Sequence, residues 1–356
     1  MNVGGGTLNT AGLVMLPGSS LLALVPSTVT TGTLLASSAT TIDATGSDMT
    51  LGDASAVNGF ASAGTMHVGN STVTLLDAND AVFDSLALVT LGDGLGDAGT
   101  LGAANGLSLN LGGNITGFGT VDTPNNAATP FINNGNITGI SLAEPVTLTG
   151  YLKGVGTYDN CNITGTDAFE FSTAAYNRGS VSYNGTLEIE IGGTTPGSGY
   201  DQLNHILGAG IAELGGTLDV LLIGGYVPSL GDTFDILTAT GGVNGTFAST
   251  LFPDLGALLA MDLFYDTNTV TLAVVPALPG DFDIDGDVDG NDFLLWQRGG
   301  SPDPLSQSDL ADWEANYGFV APLSATSAAV PEPATGIIAM LIGMMALHFR
   351  RDLIVP

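Results

Sequence analysis

The densest candidate chemistry in the chain lies in twelve residues, Asp281-Phe282-Asp283-Ile284-Asp285-Gly286-Asp287-Val288-Asp289-Gly290-Asn291-Asp292. Aspartates occupy positions 1, 3, 5, 7, 9 and 12 of this run, namely Asp281, Asp283, Asp285, Asp287, Asp289 and Asp292. Gly286 falls at position 6, where such a loop turns sharply. Val288 at position 8 is apolar, as an anchor toward a small core should be. A hard divalent cation needs several oxygens converging at about 2.3–2.6 Å. This spacing wraps carboxylates around one point, with Asp287 offering its backbone carbonyl and Asp289 placed to act through a water. The expectation is one calcium site. The alternative is a solvated acidic turn.

Nothing else in the sequence reads as an active site. His67, His205 and His348 lie in unrelated contexts, and Lys153 is the only lysine, so no phosphate-binding Gly-Lys loop exists. No Gly-x-Ser-x-Gly elbow occurs. Glu188 and Glu190 share one strand face, as an acid–base pair would, but outward strand carboxylates are ordinarily solvated surface. With 35 acidic and 5 basic residues the formal net charge is −30, which argues against a nucleic-acid partner because phosphate binding needs clustered Lys and Arg. Cys161 is the sole cysteine, so no intrachain disulfide forms, and it reads as a small buried apolar residue.

The elements that must position the acidic loop are strands. Through residues 1–178 short runs alternate between apolar and polar, as in Thr72-Val73-Thr74-Leu75-Leu76 and Leu107-Ser108-Leu109-Asn110-Leu111. A degenerate repeat runs through this region. Ile115-Thr116-Gly117, Ile137-Thr138-Gly139 and Ile163-Thr164-Gly165 recur, and Gly117-Phe118-Gly119-Thr120-Val121-Asp122 returns as Gly154-Val155-Gly156-Thr157-Tyr158-Asp159. A period near two dozen residues suits one coil of a parallel β-helix, so the expected class is all-β with a β-solenoid body. A Gly-rich β-sandwich is the alternative. Residues 1–25 contain apolar patches but no Lys or Arg, and Gly4 to Gly6 and Pro17 interrupt them. They read as mature-type sequence, with the true start upstream or the chain a fragment.

Residues 179–276 alternate more regularly. Gly216-Thr217-Leu218-Asp219-Val220, then Leu230 to Leu237, then Gly245-Thr246-Phe247 resemble the end of autotransporter-type passengers. That resemblance implies a right-handed β-helix or its capping sheet on an exported protein. Residues 277–319 follow as a separate module. Within them Asp292-Phe293-Leu294-Leu295-Trp296-Gln297 is half-duplicated as Asp309-Leu310-Ala311-Asp312-Trp313-Glu314. The first loop has EF-hand spacing, with Asp292 where a bidentate Glu is usual. A pair of loop–helix units of this kind resembles a dockerin type I module. The second loop has Arg298, Gly300, Pro302, Pro304 and Ser306 where the first has acids, so only one calcium site is expected. Gly290 and Asn291 replace the hydroxyl pair common in dockerins, which puts cohesin docking in doubt. Trp296 and Trp313, each preceded by Phe293 or Leu310, are expected to share a small core between two helices.

After a linker over 320–330, residues 331–356 contain Pro331-Glu332-Pro333, an apolar run from Gly336 to Leu347, and Arg350-Arg351. At 12 residues the run is shorter than the roughly 20 that span a bilayer. Pro-Glu-Pro, apolar helix and basic end in that order resemble PEP-CTERM sorting signals. The resemblance implies bacterial export, transient membrane insertion of a C-terminal helix, an exosortase-type partner and removal of the tail. The combined expectation is an exported, calcium-binding, non-enzymatic cell-surface or matrix protein. A polysaccharide-associated protein, binding glycan or docking a cohesin, is the second reading. A β-helix polysaccharide lyase is the third, with only Lys153 and Arg178 as basic residues in the β region.

Overall fold

The computed structural model describes residues 1, 7–23, 28–56, 58–92, 94, 96–168 and 176–320. The chain winds as a parallel β-solenoid with three strand faces. On one face, strands such as Met49–Gly52, Thr72–Leu76, Gly99–Ala103 and Gly119–Asp122 each pair in parallel with the next. A second face carries Ala81–Phe83, Leu107–Leu109, Phe131–Asn133 and Tyr151–Lys153. The third includes Thr65–Gly69, Leu88–Leu91, Asn114–Gly117 and Asn136–Gly139.

Period-two alternation turns every second side chain inward, and parallel register stacks those side chains into columns. Val29, Met49, Val73, Leu101, Val121, Leu148 and Ile163 form one unbroken column, all buried. Leu21, Ile42, Met66, Val89, Ile115 and Ile137 form another and end on the buried ring of Tyr158. Helix propensity competes little, because the residues between columns are mostly Thr, Ser, Asn and Gly.

The repeat is real for two of its three triplets. Ile115-Thr116-Gly117 and Ile137-Thr138-Gly139 stack residue on residue. Ile163 instead pairs with Leu148 and Tyr183 on a different face. The longer repeat also divides, since Gly119–Asp122 and Thr157–Asp159 lie on different faces. The reason is local. A Gly corner followed by a strand start serves any face of the coil. At Gly117 the backbone has φ 111° and an added Cβ would stand 2.1 Å from the Leu91 carbonyl oxygen, so only Gly fits.

The parallel ladders run on past residue 178, through Val181–Tyr183, Thr186–Ile191 and Thr217–Leu222. The body ends in antiparallel pairing. Thr233–Ala239 continues the parallel stack on one side and pairs antiparallel with Thr269–Pro276 on the other, which pairs in turn with Leu259–Tyr265. Beyond it come two short helices, α1 (Gly290–Gln297) and α2 (Gln307–Asn316). The apolar run of the tail lies outside the described residues. Among the described residues no helix is long and apolar enough to cross a membrane.

A candidate metal centre in the Asp281–Asp292 loop

Loop and helix start are built by the same carboxylates. Asp289 caps α1, accepting from the Asn291 amide at 2.6 Å, while Asp292 reaches back to accept from the Asp289 amide at 2.8 Å. The other oxygen of Asp292 accepts from the amides of Phe282 at 2.7 Å and Asp283 at 3.1 Å. Asp281 accepts from the Asp285 and Gly286 amides at 3.1 and 3.0 Å. Asp281 and Asp292 are buried, and they close the two ends of the loop onto each other. Gly286 has φ 94°, the left-handed turn required at the sixth position, and Ile284 stands at φ 60°, a strained setting for a β-branched residue.

The six aspartates fall into two groups of three, Asp281 with Asp283 and Asp285, and Asp287 with Asp289 and Asp292, each with oxygens within 4.8 Å of one another. Sequence spacing expects Asp287 to offer its backbone carbonyl. Here its side chain joins the second group, and its Oδ1 is buried without a hydrogen-bond partner. A buried carboxylate oxygen without a hydrogen-bond partner is unfavourable unless a cation completes it. Crowding shows in the proton affinities. Desolvation and then the charges of Asp292, Asp285 and Asp281 push Asp283 up to about 6. Burial raises Asp281 despite the two amides it accepts from, and Asp287 is raised by desolvation and its acidic neighbours. These are groups a hard cation would restore to the charged form. The donor set, all oxygen and anionic, fits a hard divalent ion.

A reciprocal clamp holds the helices against the loop, and the sequence signalled it only as a half-duplicate. Trp296 of α1 donates from Nε1 to the Ser306 carbonyl at 3.0 Å, and Ser306 is the N-cap of α2. Trp313 of α2 donates from Nε1 to the carbonyl of Asp289, the N-cap of α1, at 2.7 Å. Phe293 packs between them, 5.7 Å from the Trp296 ring and 4.8 Å from that of Trp313. Each tryptophan thus fixes the start of the other helix. The loop is also tied to the end of the module, where the Val288 amide donates to Phe319 O at 2.9 Å and the Gly318 amide to Val288 O at 2.8 Å. In the second half-loop Asp309 accepts from the Asp303 amide at 3.0 Å, and Arg298, Gly300, Pro302, Pro304 and Ser306 bring no carboxylate to it. Pro331, Glu332, Pro333, Arg350 and Arg351 lie outside the described residues. No family model, no curated protein and no solved structure matches this chain.

Proposed function

We propose that the chain is an exported, calcium-binding, non-enzymatic structural protein of a cell surface or extracellular matrix. The solenoid serves as a rigid spacer, and the Asp281–Asp292 loop holds one calcium ion that locks the two-helix module. The observation carrying this reading is the buried, unpartnered Oδ1 of Asp287 within a loop of six carboxylates. Calcium is favoured over magnesium because so many anionic oxygens suit a large, flexibly coordinated ion. Isothermal titration of the full chain with calcium should give one site. Asp281→Ala should abolish it by opening the loop, and Asp285→Ala by removing an oxygen from the first group. Two equivalent sites, or binding indifferent to both changes, would overturn the assignment.

Export rests on the tail. Pro331 and Pro333 keep their segment out of helix, and Arg350 and Arg351 would hold the end of a short apolar run at the cytoplasmic face. In a host with the sorting enzyme, intact-mass analysis of surface-extracted protein should find a chain ending near Pro333. A chain ending at Pro356 there would refute sorting.

A further inference from the structure

Where the antiparallel end of the body meets the two-helix module, a cavity of about 460 Å³ opens, the size of a small-molecule site. The sheet contributes Asp262 and Phe264, two residues apart on one face of Leu259–Tyr265. The module contributes Phe282 from the start of the acidic loop, Asp303 from the second half-loop, and Asp309 and Asp312 from α2. Asp309 and Asp312, three apart, share a face of that helix. Asp309 is nine-tenths buried, at 9% exposure. The Asp303 amide donates to its Oδ2 at 3.0 Å, and no described residue donates to its Oδ1. The Asp312 carboxylate accepts no hydrogen bond from any described residue, and that of Asp262 accepts only from the adjacent Leu263 amide, at 2.8 Å. Among the described residues no basic side chain lines the cavity, and the buried pair of Arg178 with Asp167 lies away in the solenoid.

A joint between packed elements is ordinarily filled by apolar side chains or by matched charges. This one is neither filled nor matched. Burial, then the charges of Asp309 and Asp262, raise the proton affinity of Asp312, so carboxylates of the sheet and the helix act on each other across the gap. Like charges held together in a partly dry gap cost free energy until a cation comes between them. The N-terminus of α2 favours Asp309 in its first turn, but that effect fades before Asp312, a turn further on. A metal ion does not fit. Among the described residues no three of these carboxylates bring oxygens within 4.8 Å of one another, as the loop aspartates do. Phe264 and Phe282 also give the cavity an apolar wall that a hydrated ion would leave wet. An organic cation answers both features. Its ammonium or guanidinium reaches carboxylates that stand apart, and its hydrocarbon body covers the rings.

We infer that the cavity between the antiparallel sheet and α2 binds a small organic cation with an apolar body, held by Asp262, Asp309 and Asp312. It stands apart from the calcium site, because none of the six loop aspartates lines it. The test is isothermal titration of the calcium-loaded full chain with phenethylamine and with hexylamine. Physiological salt screens general attraction to a net charge of −30. At least one of the two amines should bind, and phenylethanol, the uncharged counterpart, should not. Asp262→Asn and Asp312→Asn keep the shape and remove the charge, and each should weaken amine binding about tenfold. Asp266→Asn, in the turn beyond Tyr265 and outside the cavity, should leave it unchanged. Circular-dichroism melts at or above the parent's separate loss of the site from loss of the fold. Failure of both amines to bind, equal binding of phenylethanol, or equal effects of all three substitutions would overturn the inference. Tighter binding of a capped lysine peptide than of either amine would also overturn it, in favour of a protein partner. So would displacement of the amine by calcium beyond that filling the loop, in favour of a metal.

Discussion

Two stretches of the same solenoid solve the interior differently. From Val29 to Leu148 the stacked positions on the first face are Val, Met and Leu, and the column stays apolar. One coil later, on the second face, the interior turns polar. Asp167 occupies an inward position between Leu152 and Leu187, and Arg178 meets it from another face at 3.2 Å. Both are almost fully buried, at 2% and 1% exposure. The guanidinium carbon sits 3.9 Å over the Tyr158 ring, and His205, in register with Arg178, is held by Tyr183. A repeated apolar column gains from burial at every step, yet it fits any register that keeps the period. An ion pair across the interior fits one register only, so we read the polar coil as a register lock placed where the winding nears its end.

That difference can be broken at one residue. Arg178→Met leaves Asp167 without its counter-charge between Leu152 and Leu187, which costs about 3–5 kcal/mol whether the carboxyl stays charged or takes up a proton. No other single substitution in the solenoid interior should cost as much. Combining it with Asp167→Leu restores an apolar column and should recover stability to within about 1 kcal/mol of the parent. Urea unfolding of the three proteins measures both. Equal stability of the single and double variants would show that the buried pair is not what sets this coil apart.

How far such features are legible in sequence depends on how local they are. The alternation around Val73 and Leu75, and the spacing from Asp281 to Asp292, lie within one strand or one loop, and a local pattern carries them. The Ile115 and Ile137 triplets are legible because coil length keeps them in register. Ile163 misleads because a Gly corner begins strands on every face. Arg178 and Asp167 meet from different faces, and no period links them. Tyr151 and Glu188 are 37 residues apart in sequence and meet only because the winding brings their strands within two steps. Glu188 therefore reads in sequence as one more solvated carboxylate. Likewise the duplicated tryptophans are visible as a pattern, but their exchange of hydrogen bonds with opposite N-caps needs the helix pair itself.

A smaller effect is expected from protons, because the polar coil and its margin carry buried groups whose proton affinities are strongly shifted. His205 is buried, with Nδ1 2.6 Å from Gly179 O and Nε2 3.1 Å from the Tyr183 hydroxyl. Burial, and secondarily the Arg178 charge, lower it to about 4, against the pull of the Gly179 carbonyl. Its stabilising contribution is present above the unfolded value near 6.5 and is lost as pH falls toward 4. Asp201 runs the other way. Burial, with the charges of Glu190, Glu188 and Asp167, raises it to about 7, although the Glu190 amide donates to it at 2.8 Å. Its contribution is present below the unfolded value of 3.8 and is lost as pH rises through 7. Between pH 7 and 5 the two trends oppose, so the parent should change little on their account. Asp201→Asn removes one of them. The variant should be more stable than the parent at pH 8, and should lose about 2 kcal/mol relative to it between pH 7 and 5. Carboxylates of the calcium loop are common to both proteins and cancel in the difference. Denaturant unfolding at pH 8, 7, 6 and 5 reads it directly. Parallel profiles for parent and variant would mean that Asp201 does not hold its proton in the folded state, and the polar coil would then be set apart by its ion pair alone.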